Sequence, residues 1–157
     1  MNIVEPILHT LDDKMTSFAV FLSYAHKDRH YRKQVQKALE KRGIAVWVDD
    51  RGIAPGVAWQ EAIQDAIDSA CCIVVILSPD AKSSRYVSRE LNYGNSQGKR
   101  IFPVLARGDA KKSVPFVVSG IQFVNITKKS KDEFEEVMDT LAEAIQVHLK
   151  AGCPSDS

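Results

Sequence analysis

Five short apolar runs constrain this chain more than any other feature. They lie at 18–23, 44–48, 71–77, 100–106 and 121–126. Runs of this length, rich in Val, Ile and Phe, are typical of strands that are buried on both faces. Most of the stretches between them carry apolar residues at the spacing of an amphipathic helix. This alternation predicts an α/β domain with a doubly wound parallel sheet of five strands and helices on both faces.

Several elements can be predicted in more detail. The run 71–77 is the most apolar and is predicted to be the central strand. Pro103 in the fourth run suggests a bulge or an edge position, because proline cannot donate a ladder hydrogen bond. We expect one helix over 83–97 and an irregular connection over 107–120. Asp28 is a candidate N-cap for the first helix.

The composition is that of one globular domain. A chain of 157 residues can bury a core, and its net charge of +1 gives no argument for nucleic-acid or membrane binding. No run reaches the roughly 18 apolar residues of a membrane span, and the N-terminus lacks a secretory signal. We expect a leader or linker at 1–16, the domain at 17–149, a disordered tail at 150–157 and a cytoplasmic location.

The cysteines and histidines offer little chemistry. Cys71 and Cys72 open an apolar run and Cys153 lies in a polar tail, which predicts no disulfide framework. This pattern fits a reducing compartment, with the first two cysteines as core filling. The four histidines are scattered, so we expect no metal site.

Glu90 is the first candidate for a functional residue. It falls about 50° from the apolar stripe formed by Val87 and Leu91 on the predicted helix. Tyr86 lies one turn before it and Tyr93 one turn after. Glu90 has no Lys or Arg at i±3 or i±4, so the usual helix-surface ion pair is not available. From the pattern alone, a solvated surface glutamate is the simpler interpretation.

The predicted fold brings three loops to the ligand-binding edge of the sheet. In doubly wound folds, ligands bind at the carboxyl ends of the strands. The loops at 23–28 and 49–56, and the segment from Ser78 to the Glu90 helix, should meet there. The first two supply three further acids, Asp28, Asp49 and Asp50, as candidates to assist Glu90. A helix cap explains Asp28 equally well, and turn formation is the simpler interpretation of Asp49 and Asp50.

Common enzyme motifs are absent from the sequence. No strand is followed by GxGxxG, by GxxxxGK[ST] or by a GxSxG elbow. The predicted central strand ends in Leu77-Ser78-Pro79, where a receiver domain would need an acceptor aspartate. Acid–base chemistry by a single carboxylate remains, and Glu90 is the best placed.

The order of motifs resembles that of Toll/interleukin-1 receptor (TIR) domains. FAVFLSYAHKD is similar to their first box, and DDRGIAPG followed by AWQEAIQDAI is similar to their second, the BB loop. SACCIVVILSPDAKSSRYVSREL resembles their third strand and the helix with the glutamate of enzymatic members. RIFPVLA and IQFVNIT match the last two strands. The resemblance covers about 17–149 and implies a flavodoxin-like fold, in a style closer to bacterial members than to animal adaptors.

The resemblance implies specific roles for individual residues. Many TIR domains cleave NAD+ at the nicotinamide–ribose bond, and Glu90 falls on their catalytic glutamate. Tyr86 falls where enzymatic members often carry Trp, and Tyr24 falls in the loop at the nicotinamide end of the pocket. The family pattern further implies substrate contacts for three more residues: Ser83, Ser84 and Arg51. NAD+ would be a substrate, and no cofactor is expected.

The BB loop implies self-association. In the family this loop packs on a neighbouring subunit and can complete the active site. Its residues here are Asp50, Arg51, Gly52, Ile53, Ala54, Pro55 and Gly56. We therefore expect activity to depend on TIR–TIR contacts, with other TIR domains or a fused or partner sensor domain as further partners.

Three functions stay open at this point. The first is a NAD+ glycohydrolase that makes nicotinamide and ADP-ribose or a cyclic isomer. The second is a non-catalytic TIR interaction module, which the Tyr at 86 keeps open. The third is an enzyme resembling nucleoside 2-deoxyribosyltransferases, against which the BB-loop match argues. The sequence leaves open the product, the activating signal, the assembly symmetry and whether this domain is part of a longer protein.

Overall fold

A computed structural model describes residues 19–48 and 59–153 of the chain. Short 3-10 turns at His26–Asp28 and Phe116–Val118 join some of the elements. None of the described helices combines the length and apolar character needed to cross a bilayer. In chain order the elements are β1 (Val20–Ser23), α1 (Arg29–Lys41), β2 (Val46–Trp47), α2 (Trp59–Ser69), β3 (Cys72–Leu77), α3 (Pro79–Ser83), α4 (Arg85–Ser96), β4 (Arg100–Leu105), α5 (Ala110–Ser113), β5 (Val124–Asn125) and α6 (Lys131–Lys150).

The described strands form one parallel sheet in the order β2-β1-β3-β4-β5. This is the flavodoxin-like order, in which the chain reverses direction of winding after β2. The prediction of a doubly wound five-stranded sheet is confirmed, and so is the central place of β3. The carboxyl ends of β1 and β3 therefore lie side by side, where the order of strands reverses.

Two separate hydrophobic cores cover the two faces of the sheet. In β3, Cys72, Val74 and Ile76 pack with α1 and α6, while the alternate residues pack with α2 and α4. All six residues of β3 are buried. A strand with both faces covered needs a continuous apolar run, and this explains the composition of CCIVVIL.

The outer strands are shorter than the sequence predicts. β2 and β5 each contain two residues, although the apolar runs are five and six residues long. β4 lies between β3 and β5, so the expectation of an edge strand at Pro103 is wrong. The register with β3 is continuous, without a bulge, and pairing with β5 begins only at Val104. At Pro103 the strand is therefore paired on one side, which is where a proline can be accommodated.

The helix predicted over 83–97 is divided into two. α3 ends at Ser83, and Ser84 is extended, with φ −80° and ψ 125°, before α4 begins. The hydroxyl of Ser84 accepts a hydrogen bond from the backbone N–H of Val87 at 3.2 Å, so this serine caps α4. The connection over 107–120 contains α5 and a 3-10 turn, and is more regular than expected.

The structure corrects the prediction about the cysteines. Cys71 and Cys153 form a disulfide, while Cys72 is buried and free. Burial raises the pKa of the Cys72 thiol to about 12, so it stays protonated as core filling. The pairing of Cys71 was not predictable because its partner lies 82 residues away. It also removes the cysteine argument for a reducing compartment.

Residues 150–153, which were predicted to belong to a disordered tail, lie within the part of the chain that the structure describes. Lys150 is the last residue of α6, and residue 153 is held by the disulfide. Residues 154–157 and the predicted leader at 1–16 lie outside the described residues.

Candidate functional site

Glu90 is buried at the carboxyl edge of the sheet. Its side chain belongs to α4 and only 7% of the residue is exposed. The hydroxyl of Ser23 donates a hydrogen bond of 2.6 Å to Oε1 of Glu90. The interpretation of Glu90 as a solvated surface residue is therefore wrong. A carboxylate held below the surface at this edge is where a ligand of a doubly wound fold would meet it.

The sequence of α4 explains how Glu90 reaches this depth. Val87 and Leu91 are fully buried and attach the helix to the sheet. One turn after Glu90, Gly94 allows a close approach to β3, because a Cβ at this position would lie 2.1 Å from Cδ1 of Ile73. Any larger residue would push the side chain of Ile73, or the helix, away from its place. The glycine therefore helps to set the depth of the carboxylate.

Ser23 was not among the site residues predicted from the sequence. It is the last residue of β1 and is 1% exposed. A polar side chain at the carboxyl end of an otherwise apolar strand is a signal that could have identified it, because ligands collect at these ends. The β1–β3 register, which pairs Ser23 with Val75, places it next to the central strand.

Tyr24 follows Ser23 directly and lies near the same edge. It is half-buried against the core between the sheet and α1. The guanidinium of Arg32, from α1, lies 5.1 Å from the centre of the Tyr24 ring. A cation over an aromatic face at this distance stabilises the ring position by roughly 0.5–1 kcal/mol at a partly exposed site. The ring is thus held next to the serine that contacts Glu90.

The two tyrosines of α4 differ in their surroundings. Tyr86 is 56% exposed. Tyr93 is half-buried, and its hydroxyl donates to the carboxylate of Asp68 on α2 at 2.8 Å. Partial burial, followed by the bond to Asp68, raises the pKa of Tyr93. Tyr86 is therefore the ring of this pair that a ligand at the edge could reach, and Tyr93 has a structural contact.

The predicted serines have local hydrogen bonds. The hydroxyl of Ser83 is exposed and donates to the carbonyl oxygens of Pro79 and Asp80, at 3.3 and 3.4 Å. Ser84 is the N-cap described above. Both serines shape the junction between α3 and α4 and thus the start of the helix that carries Glu90.

Asp28 lies in a second buried group at this edge. It is fully buried and accepts hydrogen bonds from the hydroxyl of Ser78 and from Nε of Arg107, the latter at 2.7 Å. It occupies the N-cap position of α1, but its side chain makes no capping hydrogen bond. The predicted N-cap position is confirmed, but the side chain does not cap the helix, because it joins the ends of β1, β3 and β4.

Arg107 extends this group to the surface. Its Nη2 pairs with Asp80 of α3, which also lies 3.9 Å from Nζ of Lys27. The hydrogen bond from Arg107 holds the pKa of Asp80 below its usual value, and Lys27 adds to this effect. Arg107 was not predicted from the sequence, since no local pattern connects a residue after β4 with one after β1.

Other predicted residues lie outside the described part of the chain. They are Asp49 and the BB-loop residues Asp50, Arg51, Gly52, Ile53, Ala54, Pro55 and Gly56. Among the described residues, no group of three or more His, Cys, Asp or Glu side chains could hold a metal ion.

The described geometry suits chemistry on a developing positive charge. A carboxylate in a region of low dielectric interacts with a nearby cation more strongly than it would in water. Ser23 donates a hydrogen bond to one oxygen of this carboxylate. Tyr24 follows Ser23 in sequence, and Tyr86 lies one helical turn before Glu90 on α4. The arrangement could therefore hold a flat cationic group at the edge of the sheet.

Comparison with known proteins identifies relatives with this fold. A family model described as TIR domain matches residues 20–142. The NAD(+) hydrolase ApTIR of Actinoplanes sp. is 28% identical over 103 residues, which is 59% of this chain and 14% of that protein. The uncharacterized protein y4lF of Sinorhizobium fredii is 28% identical over 106 residues, which is 62% of this chain and 33% of that protein. This chain thus spans only a minor part of the length of both relatives.

A solved structure agrees with this assignment. The TIR domain of the Toll-related receptor TRR-2 from Hydra magnipapillata superposes with a TM-score of 0.68. The two are 27% identical, and the match covers 83% of this chain and 99% of the other. The region that the family model matches, residues 20–142, includes all five strands of the sheet described above and most of α6. On this evidence the chain belongs to the TIR domain family.

Proposed function

We propose that this protein is a NAD+ glycohydrolase, which cleaves the bond between nicotinamide and ribose. The observation that carries the proposal is the buried carboxylate of Glu90, fixed by Ser23 at the ligand-binding edge. The relative named NAD(+) hydrolase supports it, at 28% identity. NAD+ would be the substrate, and the reaction needs no added cofactor.

The chemistry requires one carboxylate. Nicotinamide is cationic in NAD+ and leaves as a neutral molecule, so its departure needs no general acid. The electron pair of the glycosidic bond moves to the nicotinamide ring, and positive charge builds on the ribose. Glu90 would stabilise that charge, as carboxylates do in glycosidases. Water then attacks C1′ and releases its proton to give ADP-ribose, or a nucleophile within the same molecule attacks to give a cyclic isomer.

The aromatic residues would position the leaving group. Tyr24 is held by Arg32, and Tyr86 is exposed one turn before Glu90. Stacking of either ring on nicotinamide would contribute about 1 kcal/mol. Ser83, Ser84 and Arg51 remain predicted substrate contacts.

Self-association is the second part of the proposal. A solved structure of the RPS4 and RRS1 TIR domains is a heterodimer, at 16% identity to this chain and a TM-score of 0.58. We infer that this chain also associates through TIR–TIR contacts that involve the BB loop at 50–56. Specific activity should then rise with protein concentration, and a rate per subunit that stays flat over two decades would contradict this inference.

A non-catalytic interaction module is the alternative function. The exposed Tyr86, where enzymatic relatives often carry Trp, is the observation that favours it. The structural match to a receptor TIR domain is compatible with it as well. An assay of nicotinamide release from NAD+ separates the two functions, because an interaction module would associate without releasing nicotinamide.

The test is nicotinamide release from NAD+, measured by chromatography against standards for linear and cyclic products. We expect release by the unaltered protein and none by Glu90→Ala. Glu143→Ala is the matched control, because Glu143 is an exposed glutamate of α6. No release at any protein concentration up to about a hundred times the dissociation constant of self-association would favour the interaction module. Release that persists in Glu90→Ala would exclude the proposed role of Glu90.

A further inference from the structure

An open groove lies between α1 and the loop that joins β5 to α6, on a different part of the molecule from Glu90. Its volume is about 700 Å³, within the range of small-molecule sites. The helices beside it cover the opposite face of the sheet from α4. None of the described residues of the candidate active site lines it. It is therefore a separate place for a ligand.

The charges around the groove are mostly positive. The lysines that line it are Lys37, Lys41, Lys128, Lys129 and Lys131. Among the described residues that line it, Glu135 is the only acid, and it pairs with Nη2 of Arg42 at 2.8 Å and lies 3.6 Å from Nζ of Lys41. The hydrogen bond from Arg42 lowers the pKa of Glu135, so this carboxylate stays charged.

Nearby acids outside the lining are also engaged. Asp139 accepts a hydrogen bond from Arg42 at 2.9 Å. Glu133 accepts from the backbone N–H of Ser130, in the capping box of α6, at 2.8 Å. Asp132 is an exposed residue in the same first turn. Among the described lining residues there are five lysines and one glutamate, in a chain whose net charge is only +1. A bound anion would reduce the repulsion among these positive charges.

The walls between the lysines are apolar and aromatic. Tyr31 and Phe134 are half-buried, and Ala38 and Ile126 are buried. The lysines form two groups, one on α1 and one on the loop and the first turn of α6. In the loop, Lys128 has a φ of +52°, which is the left-handed region and costs a non-glycine residue of order 1 kcal/mol. The strain therefore falls on a residue that lines the groove.

We propose that this groove binds a nucleotide with two or more phosphate groups. The two groups of lysines would hold the phosphates, and the aromatic walls would contact the base. A single apolar-walled groove of this size fits one nucleotide better than a nucleic-acid strand, which would need a longer positive track. This inference does not rest on the cleavage of NAD+.

The test is direct binding of ADP, measured by titration calorimetry at low salt with the full chain. AMP, adenosine, pyrophosphate and a ten-nucleotide oligo-dT are the comparison probes. We expect ADP to bind more tightly than AMP or pyrophosphate, and adenosine to bind least. The double substitution Lys37→Glu and Lys129→Glu should weaken ADP binding about tenfold or more, which corresponds to 1.4 kcal/mol. Both lysines are exposed, so the variant should fold, and the thermal midpoint checks this.

Lys111→Glu with Lys150→Glu is the matched control, since both residues are exposed and outside the groove. It should change ADP affinity less than twofold. Phe134→Leu should weaken ADP binding and leave pyrophosphate binding unchanged. Equal effects of the two charge variants, or no ADP binding at millimolar concentration, would overturn the proposal. Groove-dependent binding of the oligonucleotide without ADP binding would overturn it in favour of a nucleic-acid strand. Loss of self-association in Lys37→Glu with Lys129→Glu, without any nucleotide binding, would assign the groove to a second copy of the chain.

Discussion

Two buried carboxylates at the same edge of the sheet are held in different ways. Asp28 is fully buried and accepts from the guanidinium of Arg107 and the hydroxyl of Ser78. Glu90 is 7% exposed and accepts from the neutral hydroxyl of Ser23. The charge of Asp28 is thus compensated by a cation that also joins three strand ends. We infer that Asp28, which has no exposed surface, stabilises this edge of the sheet, and that Glu90, which is partly exposed there, is the carboxylate that acts on a substrate.

The disulfide between Cys71 and Cys153 lies at the opposite end of the sheet from both carboxylates, so breaking it should affect stability and not activity. Reducing the disulfide, or changing Cys153→Ser, should lower the free energy of unfolding by about 2–4 kcal/mol, because the bond closes a loop between residues 82 apart. Nicotinamide release should be unchanged at temperatures where the protein is folded. Urea denaturation with and without a reductant measures the effect, and the reductant should change nothing further in the variant. A change in activity of the folded variant would show that the two ends of the sheet are coupled.

Removing the charge of Asp28 should have the next largest effect on stability. Asp28→Asn leaves Arg107 without the carboxylate that it meets inside the protein, at a cost of about 3 kcal/mol. Asp80→Asn is the matched control, since Asp80 binds the same guanidinium from a partly exposed position, and it should lower stability less than Asp28→Asn does. Urea denaturation measures both. Equal costs would mean that burial does not distinguish the two aspartates.

Ser23→Ala should affect activity more than stability. Loss of one hydrogen bond costs about 1 kcal/mol of unfolding free energy. Because the serine positions Glu90, kcat should fall about tenfold with little change in KM. Ser23→Thr retains a hydroxyl and should recover part of the rate. An equal loss of rate in both variants would point to packing at this position and not to the hydrogen bond.

The smallest effect is expected in the dependence of stability on pH. Arg107 lowers the pKa of Asp80, so this carboxylate stabilises the folded state above its unfolded pKa of about 4. That contribution is lost as the pH falls through the lower folded pKa. The thermal midpoints of the unaltered protein and Asp80→Asn should therefore converge as the pH falls below about 4. A constant difference over this range would contradict the pairing.

The sequence was most informative where local pattern and tertiary structure agree. The run 71–77 predicts a buried central strand because both faces of β3 are covered. It is less informative for β5, where a run of six residues, four of them apolar, gives a strand of only two. There, the number of residues that pair with β4 sets the length of the strand, and the hydrophobic pattern of the sequence does not predict that number. The break at Ser84 was missed for a related reason, because a serine is compatible with both a helix interior and a cap.

The candidate site shows a similar division. Glu90 was identifiable from its place beside an apolar stripe, yet its burial depends on Gly94 and Ile73, which meet only in the folded protein. The partnership of Asp28 with Arg107 joins residues 79 apart, and no periodicity predicts it. The lysine groove likewise combines α1 with a loop near the end of the chain. Contacts of this kind need the strand order before they can be predicted.

The most direct measurement compares Glu90→Gln with Asp28→Asn in the same two assays. Nicotinamide release from NAD+ and the free energy of unfolding are measured for each variant at a temperature where both are folded. We predict that Glu90→Gln lowers release by about a thousandfold and changes stability by less than about 1 kcal/mol, while Asp28→Asn lowers stability and keeps release within about tenfold. Full release by Glu90→Gln, or a thousandfold loss in folded Asp28→Asn, would contradict the assignment of chemistry to one carboxylate and structure to the other.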